Sequence, residues 1–356
     1  MPTEDGQRMT PELALEDQTA GQPRSGGLRN VFRETTPTPT PAQVQREAEQ
    51  QAKKAAEHWA IWGAARNGAR IVLADHQRDI LFFGGSVLLG LVALNLQQGM
   101  ILLLGLATAL YVATGAHKLW LLARGERAVS AGSNGIVSVN PNGIANDDLP
   151  AYTVLVPLHR EAKIVPTLIE GLKQLDYPTD RLEILLLVEL DDELTQSAIR
   201  HYPLPIHMRQ VTMPPGQPRT KPRALNVGLH EAHGDYIVIY DAEDRPEPDQ
   251  LRKAAAGFRK VSEQVVCLQA RLNFYNREQS LLSRLFSVDY AVWYDQMLPG
   301  LTREHAFIPL GGTSNHFRVE ILRQIGGWDP FNVTEDCDLG ARLSRAGYGI
   351  LMLDSV

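Results

Sequence analysis

Cysteine is scarce in this sequence, with two among 356 residues. Two thiols cannot build the disulfide framework of a small secreted domain, and the number suits a reducing compartment. Cys267 and Cys337 have no metal-ligand spacing, and Cys267 reads as a small core residue. A surplus of positive charge is missing as well. The 35 Lys and Arg against 41 Asp and Glu leave a formal charge of −6. A protein held to nucleic acid by its overall field needs a basic surface, so no nucleic-acid partner is expected. No G-x-G-x-x-G follows a strand-like run and no G-x-x-x-x-G-K-[ST] occurs, which removes the dinucleotide fingerprint and the P-loop. His230-Glu231-Ala232-His233 is one residue too short for H-E-x-x-H and reads as an ordinary helix end. There is no internal repeat.

Charge itself disappears in one place. From Ile80 to Ala116, 37 residues pass without a single Asp, Glu, Lys or Arg. Ile80 to Leu96 is one apolar block, Gln97-Gln98-Gly99 interrupts it, and a second block begins at Met100. A span needs roughly 20 apolar residues, so two somewhat short transmembrane helices over 80–122 are expected, joined by a tight turn. A single tilted helix or a buried core hairpin is the alternative. Arg66, Arg70 and Arg78 flank one end, and Lys118, Arg124 and Arg127 the other. Basic residues on both flanks place both outer ends in the cytoplasm. The expectation is a multi-pass protein of the inner (cytoplasmic) membrane with its large domain cytoplasmic. The mean hydropathy of −0.18 averages over this segment and hides it.

Upstream, residues 1–42 lack any apolar period. Thr36-Pro37-Thr38-Pro39-Thr40-Pro41 excludes helix, because each Pro removes a donor and restrains the residue before it. A disordered tail is expected there, with no secretory signal. Residues 43–79 favour a helical juxtamembrane segment, with Trp59 and Trp62 on one face, at a membrane surface or against the protein itself. Downstream, 123–149 contains a Gly-, Asn-, Asp- and Pro-rich stretch and reads as a linker.

From residue 150 the pattern alternates strand and helix. Strands are expected at Tyr152–Pro157, Leu182–Leu190, Ile206–Thr212 and Tyr236–Tyr240. Helices are expected up to Leu175, over Pro222–His233 and over Pro248–Val261. Near-continuous apolar strands between helices predict an α/β fold with a largely parallel sheet covered on both faces. Ligands bind such sheets beyond the carboxyl ends of the strands. Three strand ends deliver acidic residues to that rim: Glu161 after the first, Asp191-Asp192-Glu193 after the second, and Asp241-Ala242-Glu243-Asp244 after Tyr240. Anions gathered at one edge repel unless cations offset them, so a divalent metal or a basic ligand group is expected. Asp241 and Glu243, two apart on a turn, suit one hard cation, Mg2+ or Mn2+. Each carboxylate also has a bland reading: Asp191 and Asp192 as caps, Asp241 to Asp244 as a turn, Glu335 and Asp336 as caps of a following helix. Lys221 has one as a solvated charge. Leu281, Leu285, Trp293 and Met297 have helical spacing and read as core.

The ordered set carries more than its parts. Val156-Pro157 with Glu161, Asp191-Asp192, and Thr220-Lys221-Pro222-Arg223-Ala224-Leu225-Asn226 occur in sequence. Tyr240-Asp241-Ala242-Glu243-Asp244, Gly311-Gly312-Thr313-Ser314-Asn315, Gly326-Gly327-Trp328-Asp329 and Thr334-Glu335-Asp336 follow. Residues 150–356 resemble the inverting family 2 glycosyltransferases, in the membrane-anchored branch similar to cellulose synthase catalytic subunits and glucan or mannan synthases.

That resemblance implies a GT-A domain, a nucleotide-sugar donor (a UDP-hexose), a glycan acceptor, and Mg2+ or Mn2+. Carried over by position, it places Pro157, Glu161, Asp191, Asp192, Lys221 and Asp241 at the nucleotide sugar. It places Asp241 and Glu243 at the metal and Asp336 as catalytic base, with Glu335 and Trp328 by the acceptor. Two departures from the family pattern stand out. Glu243 replaces the second Asp of D-x-D, with Asp244 next to it as a rival ligand. No Q-x-x-R-W follows Thr334-Glu335-Asp336, and the domain reads as truncated at Val356. A non-catalytic membrane receptor or assembly subunit is the alternative. A nucleotidyltransferase ranks lower, because residues 157–163 contain no phosphate-binding glycine.

Overall fold

The computed structural model describes residues 73–130, 136–213 and 216–356. The tail expected over 1–42, and most of the helical segment expected over 43–79 with Trp59 and Trp62, lie outside the described residues.

Two helices come first, α1 (Asp75–Leu94) and α2 (Leu96–Ser130). They meet at Asn95, whose side chain accepts a hydrogen bond from the Gln98 N–H at 3.2 Å. An Asn placed there satisfies one of the first-turn donors that have no partner within the helix. The break therefore falls at Asn95, and the expected interruption Gln97-Gln98-Gly99 forms the first turn of α2. Among the described residues one helix is long and apolar enough to cross a bilayer, Leu96–Gly125 in α2. The apolar part of α1, from Ile80, reaches roughly 22 Å at 1.5 Å per residue, short of a hydrocarbon core of about 30 Å. The predicted pair of spans thus becomes one long apolar helix preceded by a shorter one.

A mostly parallel sheet follows. It contains β1 (Ile136–Val137), β2 (Tyr152–Leu158), β3 (Leu182–Glu189), β4 (Met208–Met213), β5 (Tyr236–Ile239), β6 (Val265–Ala270), β7 (Asn315–Arg318) and β8 (Gly349–Leu353). Their order is β1-β8-β6-β7-β5-β2-β3-β4. The pairings are parallel except those of β7, which runs antiparallel to β5 and β6. Helices α3 (Val165–Leu172), α4 (Glu193–Arg200), α5 (Lys221–Glu231) and α6 (Gln250–Lys260) connect the early strands. After β6 come α7 (Leu281–Ala291), a π-helical stretch Val292–Met297 and α8 (Leu298–Arg303). Helices α9 (Val319–Gln324) and α10 (Glu335–Arg345) complete the domain.

Successive side chains of a strand point to opposite faces, and two cores result. Val154, Val156, Ile184 and Leu186 pack with Ile169 of α3 and Phe258 of α6. Leu155, Leu185 and Leu187 pack with Leu225 of α5 and Leu339 of α10. Both faces of β3 are covered, and all eight of its residues are buried. That is why the run over residues 184–188 is continuously apolar rather than alternating.

Two expectations need correction. The linker over 123–149 is helical up to Ser130, and Ile136 and Val137 then pair with Met352 and Leu353 at the sheet edge. Ile144 and Leu149 are buried, so this turn-rich stretch docks through the apolar residues between its turns. The supposed core face of α7 is the second correction. Met297 is buried, but Leu281 is 74% exposed, Leu285 59% and Trp293 38%.

The C-terminal part of α2 packs on α8. A Cβ on Gly300 would stand 2.4 Å from the Leu121 carbonyl oxygen, and one on Gly125 would overlap the Gln296 carbonyl. Glycine at both places lets the two backbones touch. An Arg124–Glu304 ion pair at 2.9 Å closes the same contact.

Candidate active site

The carboxyl ends of β2, β3 and β5 open into one cleft of about 330 Å³. Pro157, Glu161, Lys221, Asp241 and Glu243 line it, as do His159, Glu189, Arg219 and Thr220. Parallel strands end on the same edge of the sheet, and the loops that follow them splay apart to leave this space.

The turn after β5 sorts its carboxylates. Asp244 folds back, accepting from the Asp241 N–H at 2.7 Å and from the Thr313 hydroxyl. Burial pushes the Asp244 carboxyl up to about 6; those two hydrogen bonds oppose the rise, and the charges of Asp241 and Glu243 add to it. Asp244 thus closes the turn, while Glu243 is exposed on the cleft. Burial also raises Glu161, with Glu243 and Asp241 raising it further against a hydrogen bond from the His159 backbone. Carboxylates from β2 and β5 therefore sense one another across the opening.

The turn after β3 is sorted in the same way. Asp192 is buried and caps α4, accepting from the Thr195 N–H at 3.2 Å and from the Arg160 N–H at 2.5 Å. Burial alone would raise its pKa, but the hydrogen bonds from Arg160 and Thr195 outweigh it and hold the carboxyl low. Asp191 points outward and pairs with Arg219 at 2.6 Å.

Lys221, the first residue of α5, reaches the centre of the site. Its ammonium lies 2.5 Å from Asp241 Oδ1 and donates to the Gly312 carbonyl at 2.7 Å. A Cβ on Gly312 would stand 3.5 Å from Asp336 Oδ2 and 3.7 Å from Lys221 Nζ. Asp336 therefore faces the same spot from the first turn of α10, where the helix N-terminus favours a negative charge. Its other oxygen accepts from the Cys337 N–H at 2.7 Å. Beside it Glu335 is buried, and burial raises its carboxyl while Lys221 opposes the shift.

Trp328 departs from its expected place. It is 2% exposed, meets Phe317 edge-on, and its backbone is tied on both sides to the Asn226 side chain. A ring in the core cannot border an acceptor sugar, so Trp328 is a packing residue. The structure also adds residues that sequence reasoning passed over. Glu189 ends β3 inside the cleft and is held by Arg223 at 3.0 Å. Its signal was a single acidic residue closing an apolar run. His159 and Arg219 line the cleft from loops, where a lone side chain carries no pattern.

The donor set suits a hard cation in one particular way. Among the described residues no three His, Cys, Asp or Glu side chains gather as a ready-made metal site. Asp241 and Glu243 present two carboxylates to the open cleft. Mg2+ and similar ions are held by one or two carboxylates, with phosphates and water taking the other positions.

Residues 150–356 match the family described as "Glycosyltransferase like family 2". The chain belongs to this family. It is 27% identical over 205 residues to the probable glycosyltransferase YdaM of Bacillus subtilis (strain 168), covering 57% of this chain and 49% of that protein. It is 30% identical over 220 residues to glucomannan 4-beta-mannosyltransferase 2 of Arabidopsis thaliana, covering 59% and 40%. The chain thus spans less than half the length of these curated relatives. Among solved structures it resembles the mannosyltransferase PcManGT from Pyrobaculum calidifontis, in complex with GDP-Man and Mn2+. That likeness has a TM-score of 0.53 at 25% identity and covers 70% of this chain and 66% of the other. The family 2 domain here is accordingly the GT-A-like α/β sheet, with Asp241 and Asp336 on its open edge.

Proposed function

We propose that this family 2 protein is a membrane-anchored hexosyltransferase that moves a sugar, with inversion, from a nucleotide-sugar donor to a glycan acceptor. The observation that carries the reading is the meeting of Asp241, Lys221 and Asp336 around Gly312, from three separate elements. Names among its relatives point to mannosyl transfer, so GDP-mannose is the first donor to try and UDP-glucose the second.

An acceptor hydroxyl is a weak nucleophile until a base takes its proton, and Asp336 is the carboxylate offered for that step. One direct displacement then forms the new glycosidic bond as the bond to the diphosphate breaks, inverting the anomeric carbon. Lys221 offers positive charge to the departing diphosphate. Asp241 and Glu243 would hold Mg2+ or Mn2+, which supplies Lewis-acid charge to the diphosphate oxygens when bound. Asp244 is spent on its turn, which favours Glu243 as the second ligand. Asp191, paired with Arg219 of the cleft lining, would face the nucleoside. Replacing Asp336 by Asn should lower transfer by about 10²–10⁴-fold while donor affinity persists. Unchanged transfer by Asp336→Asn would remove the base assignment.

Membrane attachment rests on α2, with α1, joined to it at Asn95, as a partial second pass and the domain on the cytoplasmic side. Lys118 and Arg124 flank the domain end of α2, as positive charge on the inner face requires. The exposed apolar face of α7, with Leu281, Leu282, Leu285 and Phe286, follows the same logic as a surface resting on lipid. A polarity-sensitive dye on Leu285→Cys in nanodiscs should report an apolar setting, and the same dye on Glu170→Cys an aqueous one. Equal aqueous signals would remove the lipid contact.

A further inference from the structure

We propose that Lys221 is a built-in counter-ion standing where a divalent cation would neutralise Asp241, so that the protein takes up metal only together with a nucleoside diphosphate. This rests on the reading of the cleft as a donor site.

A rim that collects Glu161, Asp241, Glu243, Glu335 and Asp336 repels itself unless a cation offsets its charge. The structure supplies one from the protein itself. The Lys221 ammonium contacts Asp241 Oδ1 at 2.5 Å and is fixed on a second side by the Gly312 carbonyl at 2.7 Å. Gly312 marks where the two groups converge, since a Cβ there would lie in ordinary van der Waals contact with both Asp336 Oδ2 at 3.5 Å and Lys221 Nζ at 3.7 Å. The buried carboxyl of Glu335 also responds to the Lys221 charge. One ammonium thus serves two acidic side chains from two elements.

That position has a consequence for metal. A hard cation arriving alone finds two carboxylates, Asp241 and Glu243, and one of them is already neutralised by a positive charge in direct contact. Among the described residues no third acidic or His ligand completes a cluster. Like charges a few ångströms apart repel strongly even at the effective dielectric of a protein surface. A diphosphate changes both terms. Its oxygens add ligands for the metal and give Lys221 a new anionic partner, which frees Asp241 to coordinate. Nucleotide and metal therefore bind as one unit, and Lys221 sets that condition.

The test is Mn2+ binding by the full chain in detergent, read from loss of the free-ion electron paramagnetic resonance signal, with and without GDP or UDP. GDP and UDP bind Mn2+ themselves, so each sample is read against the same mixture without protein, and wild type should deplete free Mn2+ beyond that reference only when nucleotide is present. Lys221→Met and Lys221→Gln should bind Mn2+ without nucleotide about tenfold or more tightly than wild type. Lys221→Arg keeps the charge and should behave as wild type. Adding Asp241→Asn to Lys221→Met should abolish the gain. Wild type binding Mn2+ equally well with and without nucleotide overturns the proposal. So do neutral variants that gain nothing while their circular dichroism and melting remain those of a folded protein. A wild type that binds neither GDP nor UDP would instead defeat the donor-site reading, and the nucleotide-free Lys221→Met measurement would still decide the role of Lys221.

Discussion

The ends of β3 and β5 look alike in sequence and behave differently in the fold. Each closes an apolar strand with a cluster of acidic residues. In each, one carboxylate turns inward to hold the backbone, Asp192 on the α4 cap and Asp244 on the β5 turn. In each, another stays at the opening with a cation beside it. At β3 that pair, Asp191 with Arg219, is about half exposed. At β5 the pair of Asp241 with Lys221 is more enclosed and is pinned to Gly312 next to Asp336. The same local pattern thus yields a rim ion pair in one place and the centre of the site in the other. What separates them is the company brought by α5 and α10, not the acidic residues themselves.

The comparison breaks most sharply by neutralising its outward members. Asp241→Asn should reduce sugar transfer by about 10²–10³-fold, measured as product formed from labelled donor. Exchanging the inward members should act on stability instead. Asp244→Ala leaves the Asp241 N–H without its acceptor and the Thr313 hydroxyl with only the Ile239 carbonyl, and should lower unfolding stability by about 1–3 kcal/mol in urea titrations. Asp192→Ala removes a cap and should lose about 0.5–2 kcal/mol by the same measurement.

A pH series sharpens the contrast between these two inward-turned groups. The folded-state pKa of Asp244 lies at about 6, above its ordinary value of 3.8, so folding favours its protonated form. Its contribution to stability is therefore complete at low pH and is lost as pH rises through about 6. Asp192 is shifted down, and its contribution is present above its ordinary pKa and lost in acid. Between about pH 4 and 6, Asp244→Asn should lose less stability with rising pH than wild type. Asp192→Asn should lose less than wild type on acidification. Identical slopes for all three proteins would count against the sorting of carboxylates described here. The smallest effect belongs to Asp191→Asn, since an exposed pair is worth about 0.2–1 kcal/mol. Donor KM should change by no more than about fivefold, with kcat unaltered.

Much of this arrangement was legible in advance. The apolar runs of β2, β3 and β5 located the rim, because strands covered on both faces have no polar side to interrupt them. The repulsion among rim carboxylates called for a cation, and Lys221 was among the residues singled out. The rest was hidden for identifiable reasons. Asp191 and Asp192 differ by one position, and the choice of which turns inward depends on N–H groups from residues 160 and 195. Ile136 and Val137 sit in a turn-rich stretch, and their strand exists only because β8 lies beside them. The apolar spacing of Leu281 and Leu285 is correct for a helix, but spacing cannot say whether protein or lipid covers the face. Trp328 after two glycines has the same ambiguity between packing and contact with a sugar.

Local order in the chain was enough to settle the α/β alternation, the uncharged apolar stretch and the acidic strand ends, since each depends on neighbours in sequence and on solvent preference alone. Which carboxylate faces the cleft, and which cation stands against it, depends on groups brought from up to about a hundred residues away. Asp241, Lys221, Gly312 and Asp336 come together only because four separate segments meet on the same edge of the sheet, and the pairwise electrostatics that give them their roles come into being with that closure.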